Sequence, residues 1–131
     1  QVEPYLLAST LLGVIGQRLV RRICPNCREG QRLSADLQKR YPELTVAYHG
    51  RGCHACRNTG FSGRLGVFEL LVVDELMRGK ILVQRSSDLL RSLAVQQGMR
   101  TMRADGLQKV QHGLTTVEEL DRVVPPDVTA A

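Results

Sequence analysis

Two short cysteine motifs, Cys24-Pro25-Asn26-Cys27 and Cys53-His54-Ala55-Cys56, decide how this sequence of 131 residues can fold. They contain all four cysteines of the chain and enclose a polar insert of residues 28–52. A Cys-x-x-Cys turn, or knuckle, places two sulfurs on one side of a tight loop. Two such knuckles complete a tetrahedral four-thiolate site. The insert is longer than the usual spacing, but the entropy of loop closure grows only with the logarithm of loop length. The motifs therefore predict a structural zinc site with four ligands: Cys24, Cys27, Cys53 and Cys56.

The same motifs allow two alternatives, a different metal or a different fourth ligand. Iron held by two knuckles, as in rubredoxin-like electron carriers, would make the site a redox centre. Those carriers are short, whereas this chain continues for about 75 residues after Cys56, which favours zinc. His54 could replace one cysteine, but four thiols already fill a tetrahedral site. Such a filled site has no open position for water or substrate, so the metal is not expected to catalyse a reaction.

The charge of the chain bears on possible partners. A formal net charge of +5 would suggest nucleic acid or an acidic membrane surface, but aromatic residues make up only 4% and Trp is absent, which argues against base stacking. Four thiolates and one zinc ion together contribute −2, which lowers the working charge to about +3. We interpret the arginines beside the knuckles as a shell that offsets the thiolate charge: Arg21, Arg22, Arg28, Arg51 and Arg57.

Before the second motif the sequence predicts a helix, a strand and a second helix. Glu3-Pro4 starts a short helix that Gly13 ends. Residues 14–23 alternate as a half-buried strand with Ile15, Leu19 and Ile23 on one face. In the insert, residues 34–41 form a surface helix, capped by Ser34, that acts as a spacer.

After the second motif, three glycines in residues 57–66 predict tight turns near the metal. Residues 67–73 then form a well-buried strand that pairs with residues 14–23. Glu69 is the one charge in that strand. We expect it to pair with an arginine of the neighbouring strand or, less simply, to contact a partner.

The rest of the chain predicts helices. One spans residues 74–83, and a second begins at Ser87 or Asp88 and buries a face of leucine and alanine: Leu89, Leu90, Leu93 and Ala94. A third runs from about Met99 to Gly113, and the last starts with a capping box of Thr115 or Thr116 with Glu118 or Glu119. Pro125-Pro126 ends this helix before a frayed tail.

The predicted fold class is α+β, with a small tetracysteine zinc-bound β lobe that carries an inserted helix and is followed by a C-terminal helical bundle. The predicted segments are residues 1–23, 24–66, 67–124 and 125–131. No phosphate loop, His-Glu-x-x-His or Gly-x-Ser-x-Gly motif is present, so no enzymatic activity is predicted for this stretch alone. With neither a long apolar run nor a leader, the paired cysteines predict a cytosolic protein. The missing initiator Met indicates part of a longer chain.

Several ordered stretches resemble the secretion ATPase family, specifically the C-terminal part of the cytoplasmic ATPase of bacterial type II secretion. They are Val2-Glu3-Pro4-Tyr5-Leu6-Leu7-Ala8-Ser9, Gln17-Arg18-Leu19-Val20-Arg21, the two knuckles, Gly60-Phe61-Ser62-Gly63-Arg64-Leu65-Gly66-Val67-Phe68-Glu69-Leu70 and Gly98-Met99-Arg100-Thr101-Met102-Arg103-Ala104-Asp105-Gly106. Lys109, Gly113, Thr115, Thr116, Glu118 and Glu119 extend the resemblance. It covers nearly the whole chain.

The resemblance implies a fragment of a RecA-like homohexamer, driven by Mg-ATP, that docks on inner-membrane platform proteins and assembles a pseudopilus for protein export. The family's nucleotide motifs would precede Gln1 and transfer to no residue here. Apart from the metal ligands, four residues are candidates for coupling to the ATPase core or for packing: Gln17, Arg18, Arg64 and Glu69. The related type IV pilus assembly ATPases are one alternative, and a zinc-ribbon adaptor that binds nucleic acid is another.

Overall fold

A computed structural model describes residues 2–83 and 86–125, in which six helices and four strands form a mixed fold with small sheets. In chain order these elements are α1 (Pro4–Thr10), β1 (Gly13–Ile23), β2 (Arg28–Gln31), α2 (Ala35–Arg40), β3 (Ala47–Gly50), β4 (Phe61–Val72), α3 (Glu75–Val83), α4 (Ser87–Gln96), α5 (Met102–Gln111) and α6 (Val117–Val123). Strand β1 pairs with β4, as predicted, and β2 pairs with β3 in an antiparallel hairpin. The predicted mixture of helix and sheet is confirmed.

The chain divides into two compact units. The helical unit comprises Gln1–Gly16 and Phe68–Thr101, and the cysteine unit comprises Gln17–Val67 and Met102–Ala131. Two of the boundaries fall inside the long strands β1 and β4. Strand β4 contributes Val67 to one hydrophobic core and Leu71 to the other. The units thus group the chain differently from the four predicted segments, which stay a prediction about domains. The predicted tail, residues 127–131, lies outside the described residues.

The helical unit has a small aliphatic core. Val73, Met77 and Ala94 are buried there, with six residues packed against them: Leu11, Leu71, Ile81, Leu90, Leu93 and Met99. Helix α3 forms where predicted, and Asp74 Oδ1 accepts a hydrogen bond from the Met77 amide at 2.8 Å. Helix α4 follows Ser86 rather than being capped by Ser87 or Asp88, and Leu89 of the predicted apolar face is 54% exposed.

The cysteine unit has a larger core of eight buried residues: Val20, Tyr41, Leu44, Val67, Val110, Val117, Leu120 and Val124. Helix α2 forms as predicted, with the Ser34 hydroxyl accepting from the Leu37 amide at 3.3 Å. The insert is nevertheless more than an exposed spacer, because Tyr41 and Leu44, just after α2, are only 7% and 1% exposed. The insert therefore supplies part of this core.

Both long strands depart from their predicted burial. On β1, Ile15 and Leu19 are exposed, whereas Val20 is buried. Strand β4 begins at Phe61, not at residue 67, and alternates in burial instead of being buried throughout, with Phe68 exposed. A two-stranded sheet that packs one face against a core leaves the other face uncovered, which explains the alternation on β4. On β1, Ile23 of the predicted face is buried as expected, although Ile15 and Leu19 are not.

The glycine-rich stretch is only partly the predicted set of turns, since residues 61–66 are strand. Gly60 has a φ of +75° and lies directly against Gly50. A Cβ on Gly50 would lie 2.0 Å from the Gly60 carbonyl oxygen, so this crossing needs glycine for close backbone approach.

Candidate metal centre

The four cysteine sulfurs converge. All four Sγ atoms lie within 4.8 Å of one another, with distances of 3.9 Å between Cys24 and Cys53, 3.8 Å between Cys27 and Cys56, and 3.7 Å between Cys53 and Cys56. In a regular tetrahedron with metal–sulfur bonds of about 2.3 Å, neighbouring sulfurs are roughly 3.8 Å apart. The four cysteines could therefore hold a metal ion.

Local hydrogen bonds shape the two knuckles and join them. The Cys27 amide donates to the Cys24 carbonyl at 3.3 Å, and Cys56 closes the second knuckle through a 3-10 turn, His54–Cys56. The Cys24 amide donates to the Gly60 carbonyl at 2.9 Å, and the Arg51 amide donates to the Cys27 carbonyl at 3.0 Å. Both ends of the first knuckle are thus bonded to backbone that flanks the second knuckle.

Backbone amides face the sulfurs and set their electrostatics. Burial raises the pKa of Cys56, but its Sγ accepts from the Cys53 and Gly60 amides at 3.2 and 3.3 Å, and together with the neighbouring thiols they lower this pKa to about 6. For Cys27, burial dominates and raises the pKa to about 12. Metal binding requires the thiolate form of each cysteine ligand, so it releases the protons that the thiols hold.

The arginines near the knuckles make their described contacts with groups other than the sulfurs. Arg21 Nη2 lies 2.6 Å from Glu119, and its guanidinium stacks 4.2 Å from the Phe61 ring centroid. Arg28 donates to a backbone carbonyl, and Arg51 lies 3.4 Å from Glu29. A role of these arginines in offsetting the thiolate charge stays a prediction. Rigid backbone amides approach the sulfurs, and the long side chains pair with other groups.

The other candidate residues lie outside the cysteine cluster. Gln17 and Arg18 are exposed on β1, and Arg64 is exposed on β4. Glu69 does pair with an arginine, Arg91, whose Nη1 lies 2.9 Å away and belongs to α4 rather than to the neighbouring strand. A coupling role for these residues stays a prediction.

His54 lies on the 3-10 turn but is not part of the ligand cluster. Within residues 2–83 and 86–125, the four cysteines are the only group of three or more metal-ligating side chains placed closely enough to share an ion.

Sequence reasoning missed the role of Glu119. Its amide donates to Thr116 Oγ1 at 3.2 Å, as a capped helix requires, but its buried carboxylate binds Arg21 and Arg122 rather than completing the capping box. Burial raises the pKa of Glu119, but the hydrogen bonds from Arg122 and Arg21 outweigh it and lower this pKa to about 2. A glutamate between Val117 and Leu120 on the core side of α6 is the one sequence signal for this role.

A second missed feature joins the insert to α5 and α6. The Arg103 guanidinium is buried, donates to the Val124 carbonyl at 2.8 Å, and also contacts the Tyr41 hydroxyl and Asp121. The Tyr41 hydroxyl in turn donates to Asp121 Oδ1 at 3.1 Å, and Arg40 binds the other carboxylate oxygen at 3.1 Å. The insert is thereby fixed to both helices by polar side chains.

These features define a module of mixed helix and sheet in which four cysteines could hold a metal ion. Residues 1–122 match the family described as Type II/IV secretion system protein, and the chain belongs to this family. The resemblance identified from the sequence is confirmed.

The chain is similar in sequence to relatives named for secretion systems and to relatives named for pilus systems. The type II secretion system protein HxcR of Pseudomonas aeruginosa is 43% identical over 93% of this chain and 23% of its own length. The type IV pilus assembly ATPase TfpB of Acinetobacter baylyi is 38% identical over 95% of this chain and 22% of its own length. The type II secretion system ATPase E of Vibrio cholerae is 38% identical over 93% of this chain and 25% of its own length. The chain spans about a quarter of the length of these relatives.

Among the helices of residues 2–83 and 86–125, none combines the length and the apolar character that a bilayer-spanning helix needs.

Proposed function

We propose that this chain is the C-terminal part of a hexameric, RecA-like ATPase that powers pseudopilus assembly and protein export by a type II secretion system. The match of residues 1–122 to the family carries the proposal. Because the chain corresponds to about a quarter of its relatives, Mg-ATP binding and hydrolysis belong to other parts of the parent protein. The parent works in the cytoplasm at the inner membrane, and this chain contributes structure and contacts rather than catalytic residues.

The four cysteines hold a structural Zn²⁺ in this proposal, and the sulfur spacing supports it. A structural zinc contributes about 10–16 kcal/mol of folding free energy in small modules, so the site acts by fixing the two knuckles and the insert. Iron would accept the same sulfur geometry. Elemental analysis of the purified protein separates the two, with one zinc and no iron per chain as the expected result.

The cysteine unit is proposed to serve as a rigid contact surface for the platform proteins or for a neighbouring subunit. Gln17, Arg18 and Arg64 are exposed and available for such contacts. Glu69 takes the structural role, because its carboxylate is bound by Arg91 within the helical unit.

A chromosomal Cys24→Ser, Cys27→Ser double variant tests the assignment in the bacterium that encodes the chain. We expect loss of exported proteins from the culture supernatant, with surface pili retained. His54→Ala is the matched control, since it changes the second knuckle without removing a sulfur. Loss of pili with normal export would instead favour the type IV pilus alternative, which relatives of 38–39% identity support. No change in either process would contradict both.

The remaining alternative, a nucleic-acid adaptor, predicts steeply salt-dependent retention on DNA. We expect no retention at low salt, and retention that falls steeply with added salt would favour the adaptor.

A further inference from the structure

The turn between α5 and α6, residues 113–116, contains no cysteine but is bonded to the strand that ends at the first ligand. The Ile23 amide donates to the Leu114 carbonyl at 2.9 Å. The Thr115 hydroxyl, fully buried, donates to the Arg21 carbonyl at 2.9 Å. Both β1 residues lie within three positions of Cys24, so the backbone that delivers this sulfur also holds the turn.

The residue after the second cysteine of the first knuckle also contacts this turn. Arg28 directly follows Cys27, and its Nη1 donates to the Gly113 carbonyl at 3.4 Å. Gly113 has a φ of +66°, and a Cβ there would lie 2.8 Å from the Tyr48 ring. The β2–β3 hairpin that follows Cys27 therefore packs directly on the turn.

Helix α6 is anchored to β1 as well. The Glu119 carboxylate accepts from the Arg21 amide at 3.0 Å and from the Arg21 guanidinium at 2.6 Å. Because this carboxylate is buried, loss of these two donors would leave Arg122 as the one charged partner described for it. The position of the Arg21 backbone thus determines where α6 can begin.

Apolar packing does not fill the space beside these bonds. A cavity of about 380 Å³ is lined by hairpin residues on one side and by the first turn of α6 on the other, including Ala47, Tyr48, Val117 and Glu118. Close packing is what usually holds two elements rigidly, and here it is incomplete. On this side, the directional bonds of Arg21, Ile23 and Arg28 therefore hold the α5–α6 turn and the first turn of α6, while Val117 and Leu120 pack in the core.

We propose that the metal centre positions the α5–α6 turn and the start of α6, although neither contributes a ligand. This inference rests on the proposed zinc site. The bound metal fixes Cys24 and Cys27, and residues 21–28 then hold the turn through three hydrogen bonds and α6 through Glu119. Removing the metal releases residues 21–28 and loosens α5 and α6 along with the knuckles.

Hydrogen exchange measured by mass spectrometry on the purified full-length protein tests this, with zinc bound and after removal by a chelator. We expect exchange on the order of tenfold faster or more in peptides from residues 24–60 and 105–124 after zinc removal, and no change in α3 and α4. A change confined to residues 24–60 would overturn the inference and leave the zinc proposal standing. No change in residues 24–60 would overturn both. Equal loss in α3 and α4 would indicate general unfolding and also overturn the inference.

A Thr115→Val variant tests the path, because it removes one hydroxyl bond while keeping the shape of the side chain. We expect faster exchange in residues 105–124 with zinc still bound at one per chain, and a smaller additional increase on zinc removal than in the wild type. Thr115→Ser is the matched control and should behave as the wild type does. If zinc removal increased the exchange rate of residues 105–124 equally in wild type and Thr115→Val, the hydroxyl bond and the metal would act independently, which would contradict the proposed path.

Discussion

The cysteine unit and the helical unit are stabilised by different kinds of interaction. All five buried polar or charged residues among those described, Arg103, Asp105, Thr115, Thr116 and Glu119, lie in the cysteine unit, together with the four sulfurs. The buried core of the helical unit is aliphatic. Directional bonds to buried polar groups are lost outright when one partner is removed, whereas an apolar core responds in proportion to the volume lost. The cysteine unit should therefore depend on metal, pH and single polar atoms, and the helical unit should not.

The largest expected effect concerns the metal. Cys24→Ser removes one of four ligands, and a site worth about 10–16 kcal/mol in small modules can exceed the whole stability of the unit. We expect residues 20–60 to lose their native amide spectrum, while α3 and α4 keep theirs. Zinc content and two-dimensional amide spectra of the purified protein measure both parts. A native spectrum for residues 20–60 in the variant would show that the cysteine unit does not depend on its metal.

The core of the helical unit offers the opposite test. Met77, on α3, is fully buried in the core of the helical unit, so Met77→Ala should lower the unfolding free energy by about 2–5 kcal/mol. The cost should be the same with and without zinc. Leu76→Ala is the matched control, since Leu76 is 52% exposed one position away, and its cost should be below about 1 kcal/mol. Urea unfolding measures all three proteins, and a zinc-dependent cost for Met77→Ala would erase the distinction between the units.

Local signals in the sequence were sufficient for the features that depend on neighbouring residues. The Cys-x-x-Cys spacing predicts a shared site whatever surrounds it, and Ser34 and Thr116 cap their helices because a hydroxyl need only reach an amide three positions on. The sulfur cluster and most helix bounds could therefore be predicted.

Features that depend on distant partners could not. Glu119 meets Arg21 across 98 positions, and Tyr41 meets Arg103 across 62. Nothing near either residue in the sequence specifies that pairing. The same reason explains the exposed Ile15 on β1, because strand periodicity indicates two faces but not which face a core will cover.

Glu119 makes the pH dependence specific to the cysteine unit. Its folded pKa of about 2 lies below the ordinary 4.5, so the stability it contributes is fully present above about pH 4.5 and is lost as pH falls toward 2. With arginine partners that are half exposed, the contribution is roughly 2–3 kcal/mol. Glu119→Gln should lower the unfolding free energy by about this amount at pH 7, and the difference from wild type should shrink below pH 4.5.

The control for this prediction is the adjacent, exposed Glu118. Glu118→Gln should change the unfolding free energy by less than about 0.5 kcal/mol at any of these pH values. Carboxyl-carbon NMR titration reads the Glu119 pKa directly. A midpoint near 4.5 would show that the buried arginine pairing does not favour the ionised form.

The smallest expected effect lies in the second knuckle, where two consecutive residues adopt left-handed backbone conformations. Arg57 has a φ of 51° and Asn58 a φ of 60°. That conformation costs most side chains about 1–2 kcal/mol and costs asparagine less. Replacement by glycine removes this cost but destabilises the folded state by about 0.4–1 kcal/mol, because glycine raises the entropy of the unfolded chain. Arg57→Gly should therefore stabilise the cysteine unit by about 0.5 kcal/mol, and Asn58→Gly should leave it unchanged or slightly less stable. Unfolding in urea at fixed zinc concentration measures the pair. Equal shifts in the two variants would mean that backbone conformation at Arg57 stores no strain and that the unit's sensitivity comes from its side-chain bonds and its sulfurs alone.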